Sequence, residues 1–377
     1  MFFKGEKMKA IYAFRPQDPT TYPAGIETRA PSTLASWLRF FPDAKPKTRD
    51  PEDWIENACI LEAAEKAGLE ITLLESKGDG MFVSGGGWLV PAAKPGSPLG
   101  AMLGTWAKRD FIEGLPIDIN VLGSDNRAVT AAGNYANSET FLRHAGRPMV
   151  IAGGDVEGEN GIEAALRRVV EATGSGEIFI KTIQKDWAAR FSVDRSSDKG
   201  LWAQLVRADA ILEDQGEGYG LGWIPVQHEG AKRLLVVQGR IMPTYEYRIV
   251  VIDGRPVTAS GCIEVFTPAE NTAVFDPQME EVRSDGKIVM RPDLVEAYLA
   301  FAESFCAEFA VENGKGLDYS LDLCIDASTG KIMPVELNPP LNLGAYARST
   351  DAWLAAVVER TERVAAGLSS SSFDPAN

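Results

Sequence analysis

Residues 333–344 read MPVELNPPLNLG, an apolar strand that ends in a carboxylate and a carboxamide two positions apart, Glu336 and Asn338, and then meets two prolines. Residues two apart on a strand point to the same face, so these oxygens converge on one small volume. Working backwards, DYSLDLCID (318–326) reads as a strand and DASTGK as a turn, which makes 318–338 a hairpin and brings Asp322 to the face of Glu336 and Asn338. Three hard oxygen donors so placed suit Mg²⁺ or Mn²⁺, with waters and phosphates completing the coordination. Alone, they equally suit a strand end with its hydrogen bonds satisfied. The double proline removes backbone donors, so the ladder stops where a ligand would begin.

Further upstream lie the pieces that would accompany such a cation. EIFIKTI (177–183) places Lys181 on a buried strand, where a lone ammonium is costly unless it meets an anion. LLVVQGR (234–240) offers backbone donors and acceptors at a strand end, with Val237, Gln238, Gly239 and Arg240 suited to the edge of a purine. YEYRIVV (245–251) supplies Glu246 for ribose hydroxyls and, on the same strand face, Arg248 for bidentate contact with phosphoryl oxygens. The bland alternatives are a strand-edge lysine that snorkels and a same-face ion pair on a sheet.

Composition sets the limits. A chain of 377 residues with 45% apolar and 24% charged side chains has the profile of a soluble globular protein, long enough for two domains or one large one with an elaborated lobe. No apolar run approaches a membrane span, and charged residues interrupt MFFKGEKMKAIYAF before a leader's apolar core can form, so the expected location is the cytoplasm. Four scattered cysteines fit reduced, buried thiols, and two histidines exclude a histidine-rich metal centre. A formal charge of -15 opposes binding to nucleic-acid backbones and leaves room for a small anion in a local basic pocket.

The first third alternates strands and helices: KAIYAF (9–14), a helix over 50–68 with Asp50 at its cap and Gly68 at its stop, and LEITLLES (69–76). It reads as a small α/β domain over 1–123. A helix at SETFLRHAG, strands at RPMVIAG, EIFIKTI and AARFSVD, and helices at GIEAALRRVVEATG and 200–213 follow. From 233 the pattern turns to strands with an Asp-Gly hairpin at 253–254, then a helix over 291–310, the acidic hairpin and a last helix. The tail 367–377 is polar and reads as disordered.

In this order the motifs resemble the ATP-grasp superfamily: FIKT with its lysine, the hinge VVQGR, EYRIVVIDG, YSLDLCID and VELNPP. The likeness covers roughly 124–366. It implies an α/β chain in which two α+β lobes, about 124–240 and 241–366, grip ATP behind an N-terminal α/β domain. It also implies a carboxylate–amine ligase working through an acyl phosphate, with Asp322, Glu336 and Asn338 on the metal. In that scheme Lys181 and Arg248 neutralise the transferring group, and Lys181, Lys185, Val237, Gln238, Gly239, Arg240, Glu246, Asp322 and Glu336 bind the nucleotide. Asn342, Tyr346 and Arg348, in the loop after the metal strand, are expected at the acid substrate. The expected partners are a small carboxylate and an amine, without nucleic acid or membrane; a homodimer is left open. QKDWAARF (184–191) has no glycine where many relatives carry a glycine- and serine-rich lid, Gln238 replaces the usual hinge acid, and the window 126–137, where the early small-lobe lysine is expected, offers Arg127 but no lysine. An ATP-grasp kinase and a non-catalytic ATP-binding module therefore remain as alternatives.

Overall fold

The computed structural model describes residues 10–14, 19–47, 52–74, 89–92, 135–153, 161–182, 188–214, 235–263, 267–271, 273–280, 287–338 and 346–365. Its elements begin with strands β1 (Ala10–Phe14) and β2 (Thr21–Pro23), helices α1 (Ile26–Arg29) and α2 (Pro31–Phe40), strand β3 (Lys45–Lys47), helix α3 (Glu52–Lys66), and strands β4 (Glu70–Leu74) and β5 (Leu89–Ala92). Then come α4 (Glu139–His144), β6 (Met149–Ala152), α5 (Ile162–Thr173), β7 (Glu177–Thr182), β8 (Ala188–Ser192), α6 (Leu201–Asp214) and β9 (Leu235–Gly239). The last stretch holds β10 (Pro243–Ile252), β11 (Arg255–Gly261), β12 (Gln278–Glu280), β13 (Ile288–Met290), α7 (Pro292–Asn313), β14 (Tyr319–Asp326), β15 (Lys331–Asn338) and α8 (Thr350–Ala365). The mixed α/β class expected from the sequence is present, with the lysine strand, hinge strand, EYR strand and acidic hairpin in the expected order.

The chain forms two compact units. One comprises Met1–Gly133, Thr244–Cys324 and Val335–Asn377. Within it β1 pairs in parallel with β4 and antiparallel with β5, and a second sheet runs β11-β10-β14-β15. Its core joins early and late sequence: Trp37 and Trp54, with ring centroids 5.3 Å apart, share a cluster with Val250, Ile252, Trp353 and Val357. Each such side chain contributes roughly 1.5–3 kcal/mol by leaving water. The expected Asp-Gly turn closes β10–β11 with Asp253 at φ 54 and Gly254 at φ 71, both left-handed, as a two-residue hairpin turn requires.

Helix α2 and the parallel pair β2–β3 are absent from the sequence expectations. Pro31 at the first helical position and the 3-4 spacing of Leu34, Trp37, Leu38 and Phe41 were the available signal for α2.

The other unit comprises Asn134–Pro243 and Ile325–Pro334. Its four-stranded sheet runs β6-β9-β7-β8, antiparallel throughout, with α5 and α6 on one face. Ile178, Ile180, Leu235 and Val237 point into that helix-covered core beside Ile162, Leu166, Val169 and Leu205. By the alternation of strands, Phe179 and Lys181 on β7 and Val236 and Gln238 on β9 point to the opposite face.

Candidate active site

In the first unit Arg248 on β10 and Asp322 on β14 meet as a fork: Nε donates to Oδ1 at 2.8 Å and Nη2 to Oδ2 at 2.7 Å. Both residues are buried. Burial works against the guanidinium's charge, and Asp322 outweighs it, so the Arg248 pKa stands well above its ordinary value. On β15, Asn338 donates through Nδ2 to Asp322 Oδ2 at 3.0 Å and to Glu336 Oε1 at 3.2 Å. The three oxygen-bearing side chains expected on one face are thus together. Cys262, just past β11, donates its backbone N–H to the Glu246 carbonyl at 3.0 Å, and burial first, then Asp322, push its thiol pKa well up.

The donors gathered here are hard oxygens, the kind a divalent ion of the magnesium type takes. Two carboxylates lie close enough to share one amide group, whose nitrogen donates to one oxygen of each. Asp322, Glu336 and the Asn338 carbonyl are the residues that would hold such an ion. Among the described residues no group of three or more His, Cys, Asp and Glu side chains is placed to hold a metal, so these two carboxylates would need further ligands from water and substrate phosphates.

Of two described residues after the hairpin, Tyr346 covers this cluster and Arg348 packs on a tryptophan. Tyr346, at a left-handed φ of 43, lays its ring 4.9 Å from the Arg248 guanidinium. Burial raises its phenol pKa and the arginine partly opposes that rise. Arg348, only 2% exposed, stands 4.8 Å over the Trp353 ring. On the opening turn of β10, Tyr245 has φ 53, and the Tyr298 hydroxyl donates to its carbonyl at 2.9 Å, fixing the backbone next to Glu246. Glu246 is half-buried on the same strand face as Arg248.

In the second unit Lys181 is 7% exposed and its ammonium lies 5.3 Å from the Tyr135 ring centroid. Gln238 Oε1 accepts from Arg147 Nε at 2.9 Å, and Arg147 also donates to the Ala145 and Pro334 carbonyls. At Gly239 a Cβ would fall 2.7 Å from Thr173 Cγ2, so only glycine lets the hinge strand lie this close to α5. Arg240 pairs with Glu177 at 2.9 Å on the surface. Ser192 first, then Arg240, hold that carboxyl below its usual range.

Lys185, Asn342 and the 367–377 tail lie outside the described residues. Sequence reasoning missed Arg147, which sits before a proline without periodic context, and Tyr135. Among the described residues no helix is long and apolar enough to cross a membrane.

No family model matches the chain, and no curated protein sequence matches it. Similar solved structures include a D-alanine-D-alanine ligase from Coxiella burnetii, at 12% identity and a TM-score of 0.37 over 64% of this chain; the chain spans 60% of that protein. A RimK domain protein ATP-grasp from Sphaerobacter thermophilus shows 14% identity and a TM-score of 0.41, covering 86% of this chain and 97% of the other. A D-alanine–D-alanine ligase from Bacillus anthracis complexed with ATP shows 10% identity and a TM-score of 0.45, covering 95% and 99%. Scores and identities this low carry nothing about activity or substrate.

Proposed function

We propose that this protein is an ATP- and magnesium-dependent ligase that joins a carboxylic acid to an amine. The observation that carries the proposal is the convergence of Asp322, Glu336 and Asn338 beside the Arg248 fork. A bound divalent ion would supply Lewis-acid stabilisation of the nucleotide's phosphoryl oxygens. The chain's own residues orient and neutralise: Arg248 fixes Asp322, Tyr346 covers Arg248, and Glu246 is offered to the ribose. Lys181, Lys185, Val237, Gln238, Gly239 and Arg240 keep here the nucleotide roles that the ATP-grasp resemblance implies, and Asn342, Tyr346 and Arg348 the substrate roles.

In the proposed sequence a carboxylate oxygen of the acid attacks the γ-phosphorus, and the bond from that phosphorus to the bridging oxygen of ADP breaks. The amine nitrogen then attacks the acyl carbon of the acyl phosphate; inorganic phosphate leaves and the nitrogen gives up a proton. Product analysis with MgATP and pooled acids and amines tests this. ADP and free phosphate should appear only when acid and amine are both present, together with a condensed product by mass spectrometry. ADP with a phosphorylated acceptor would make the protein a kinase, and no ADP at all would make it a binding module.

A further inference from the structure

Asn338 turns the wrong end of its side chain toward the carboxylates for a cation ligand. Nδ2 donates to Asp322 Oδ2 at 3.0 Å and to Glu336 Oε1 at 3.2 Å, so nitrogen, not oxygen, faces both acids. Chemistry fixes that orientation, because an ionised carboxylate only accepts hydrogen bonds and the nitrogen is the one end of a carboxamide that donates. The residue is buried and ends β15. Arg248 forks onto Asp322, and the two carboxylates together outnumber that single guanidinium in formal charge. A neutral amide ties the two acids together without cancelling either.

This accounts for an asparagine at a position where a third carboxylate would attract a divalent ion more strongly. Three carboxylates on one sheet face repel one another whenever no cation is present. A carboxamide supplies donors in that state and, once rotated about χ2, an oxygen of nearly the same shape in the same place. The backbone is poorly placed to make the exchange. Strand β15 is hydrogen-bonded to β14, and Pro339, next in sequence, biases Asn338 to the extended region. We propose that Asn338 is a positioning residue with two settings. In the cation-free setting its nitrogen holds Asp322 and Glu336 together; on uptake of a magnesium-type ion the amide turns over, gives up both hydrogen bonds and offers its oxygen beside those of the acids. Uptake therefore carries the loss of two hydrogen bonds, which a bare ion meets less readily than one that arrives with phosphate ligands of its own.

The inference rests on the ligase proposal for the divalent ion at this hairpin, and the test keeps the two apart. Protein labelled with ¹⁵N-asparagine is followed by NMR in EDTA, in EDTA with ADP, and in MgADP, the Asn338 side-chain protons being those missing from Asn338→Ser. In EDTA these protons should exchange slowly with solvent, and ADP alone should leave them so. MgADP should shift both signals and speed their exchange at least about tenfold, because each has lost its acceptor. An amide that only holds the strand end would not move. Signals unchanged at MgADP concentrations that raise the wild-type unfolding midpoint overturn the inference, as does a wild type whose midpoint and spectrum ignore MgADP altogether. Asn338→Asp supplies a second measurement at constant ionic strength. Its ligand-free midpoint should fall, and the magnesium concentration giving half the maximal rise should be at least about tenfold below that of wild type, since no hydrogen bonds are given up. A variant that folds only with magnesium meets the same expectation; an equal or higher magnesium requirement overturns the inference. Amide signals that move in a protein yielding no ADP from MgATP, acid and amine leave the inference standing and remove the ligase, and turnover over unmoved signals does the reverse.

Discussion

Two buried aspartates four residues apart, Asp318 just ahead of strand β14 and Asp322 on it, each meet an arginine, and the two pairs are built differently. Asp322 takes two aligned hydrogen bonds from Arg248 and a third from Asn338, with Glu336 drawn into the same network. Asp318 lies 3.1 Å from Arg360 Nε without hydrogen-bond alignment, and its other oxygen accepts from the Asp253 backbone at 2.7 Å. Burial raises the Asp318 pKa and Arg360 pulls it back. That end of the strand ties the β10–β11 turn to α8, a contact extended by Arg363 on Asp253. Burial and pairing are common to both ends and so do not mark a working site. At Asp322 a second carboxylate, Glu336, joins the same network through Asn338, whereas at the Asp318 end the neighbouring carboxylate, Asp253, pairs with an arginine of its own, Arg363.

If that contrast is right, substitutions at the two ends should separate activity from stability. The largest effect is expected for Glu336→Gln: turnover should fall by at least about 10³, equivalent to roughly 4 kcal/mol in the transition state, with little change in the unfolding midpoint. Near-normal turnover in magnesium would erase the distinction between the ends. Next is Arg360→Met, which strands a buried carboxylate and should cost about 3–5 kcal/mol in urea unfolding, while MgATP affinity of the folded fraction stays at the wild-type value. A loss of nucleotide affinity there would mean that the Asp318 end also serves the site.

The smallest expected effect concerns a carboxylate away from both pairs. Burial alone would raise the pKa of Glu62, but its hydrogen bonds with Thr33, Lys66 and Ser32 prevail and lower it below 4.5. A carboxylate with a depressed folded pKa contributes stability above its unfolded value, and that contribution is lost as pH falls through the folded pKa. Denaturant midpoints of Glu62→Gln from about pH 6 to about pH 3 should therefore show a shallower acid limb than wild type. Parallel limbs would mean that the Thr33 and Lys66 contacts are made equally well by a neutral side chain.

Much of this was legible in the chain, for identifiable reasons. The acidic hairpin and the Asp253-Gly254 turn rest on period-two patterning and on turn chemistry, both local properties. The span of α3 could be read from its apolar stripe and the glycine at its end, since Trp54, Ile55, Ala58, Cys59 and Leu61 are all buried. Helix α2 escaped notice although Pro31 and the Leu34–Trp37–Leu38 spacing announced it. Other features had no local signal. The hold of Arg147 on Gln238 links residues 91 apart in sequence, and neither sits in a pattern that marks it. The sequence puts Arg248 on a strand and Arg348 in a loop, and gives neither its partner. Arg248 forks onto a carboxylate of a neighbouring strand, while Arg348 lies over the Trp353 ring with Nε and Nη1 unbonded among the described residues, and only assembled strands and helices reveal the difference.

The left-handed turn at Tyr346 has a final consequence. Such a backbone is easy for glycine and unfavourable for an aromatic residue by about 1–3 kcal/mol, so the ring must return more than the bend takes away. What it returns is dryness. Spread over the guanidinium, the phenol keeps the local dielectric low, and an ion pair that would be slack and screened in water becomes a stiff hinge pin for Asp322.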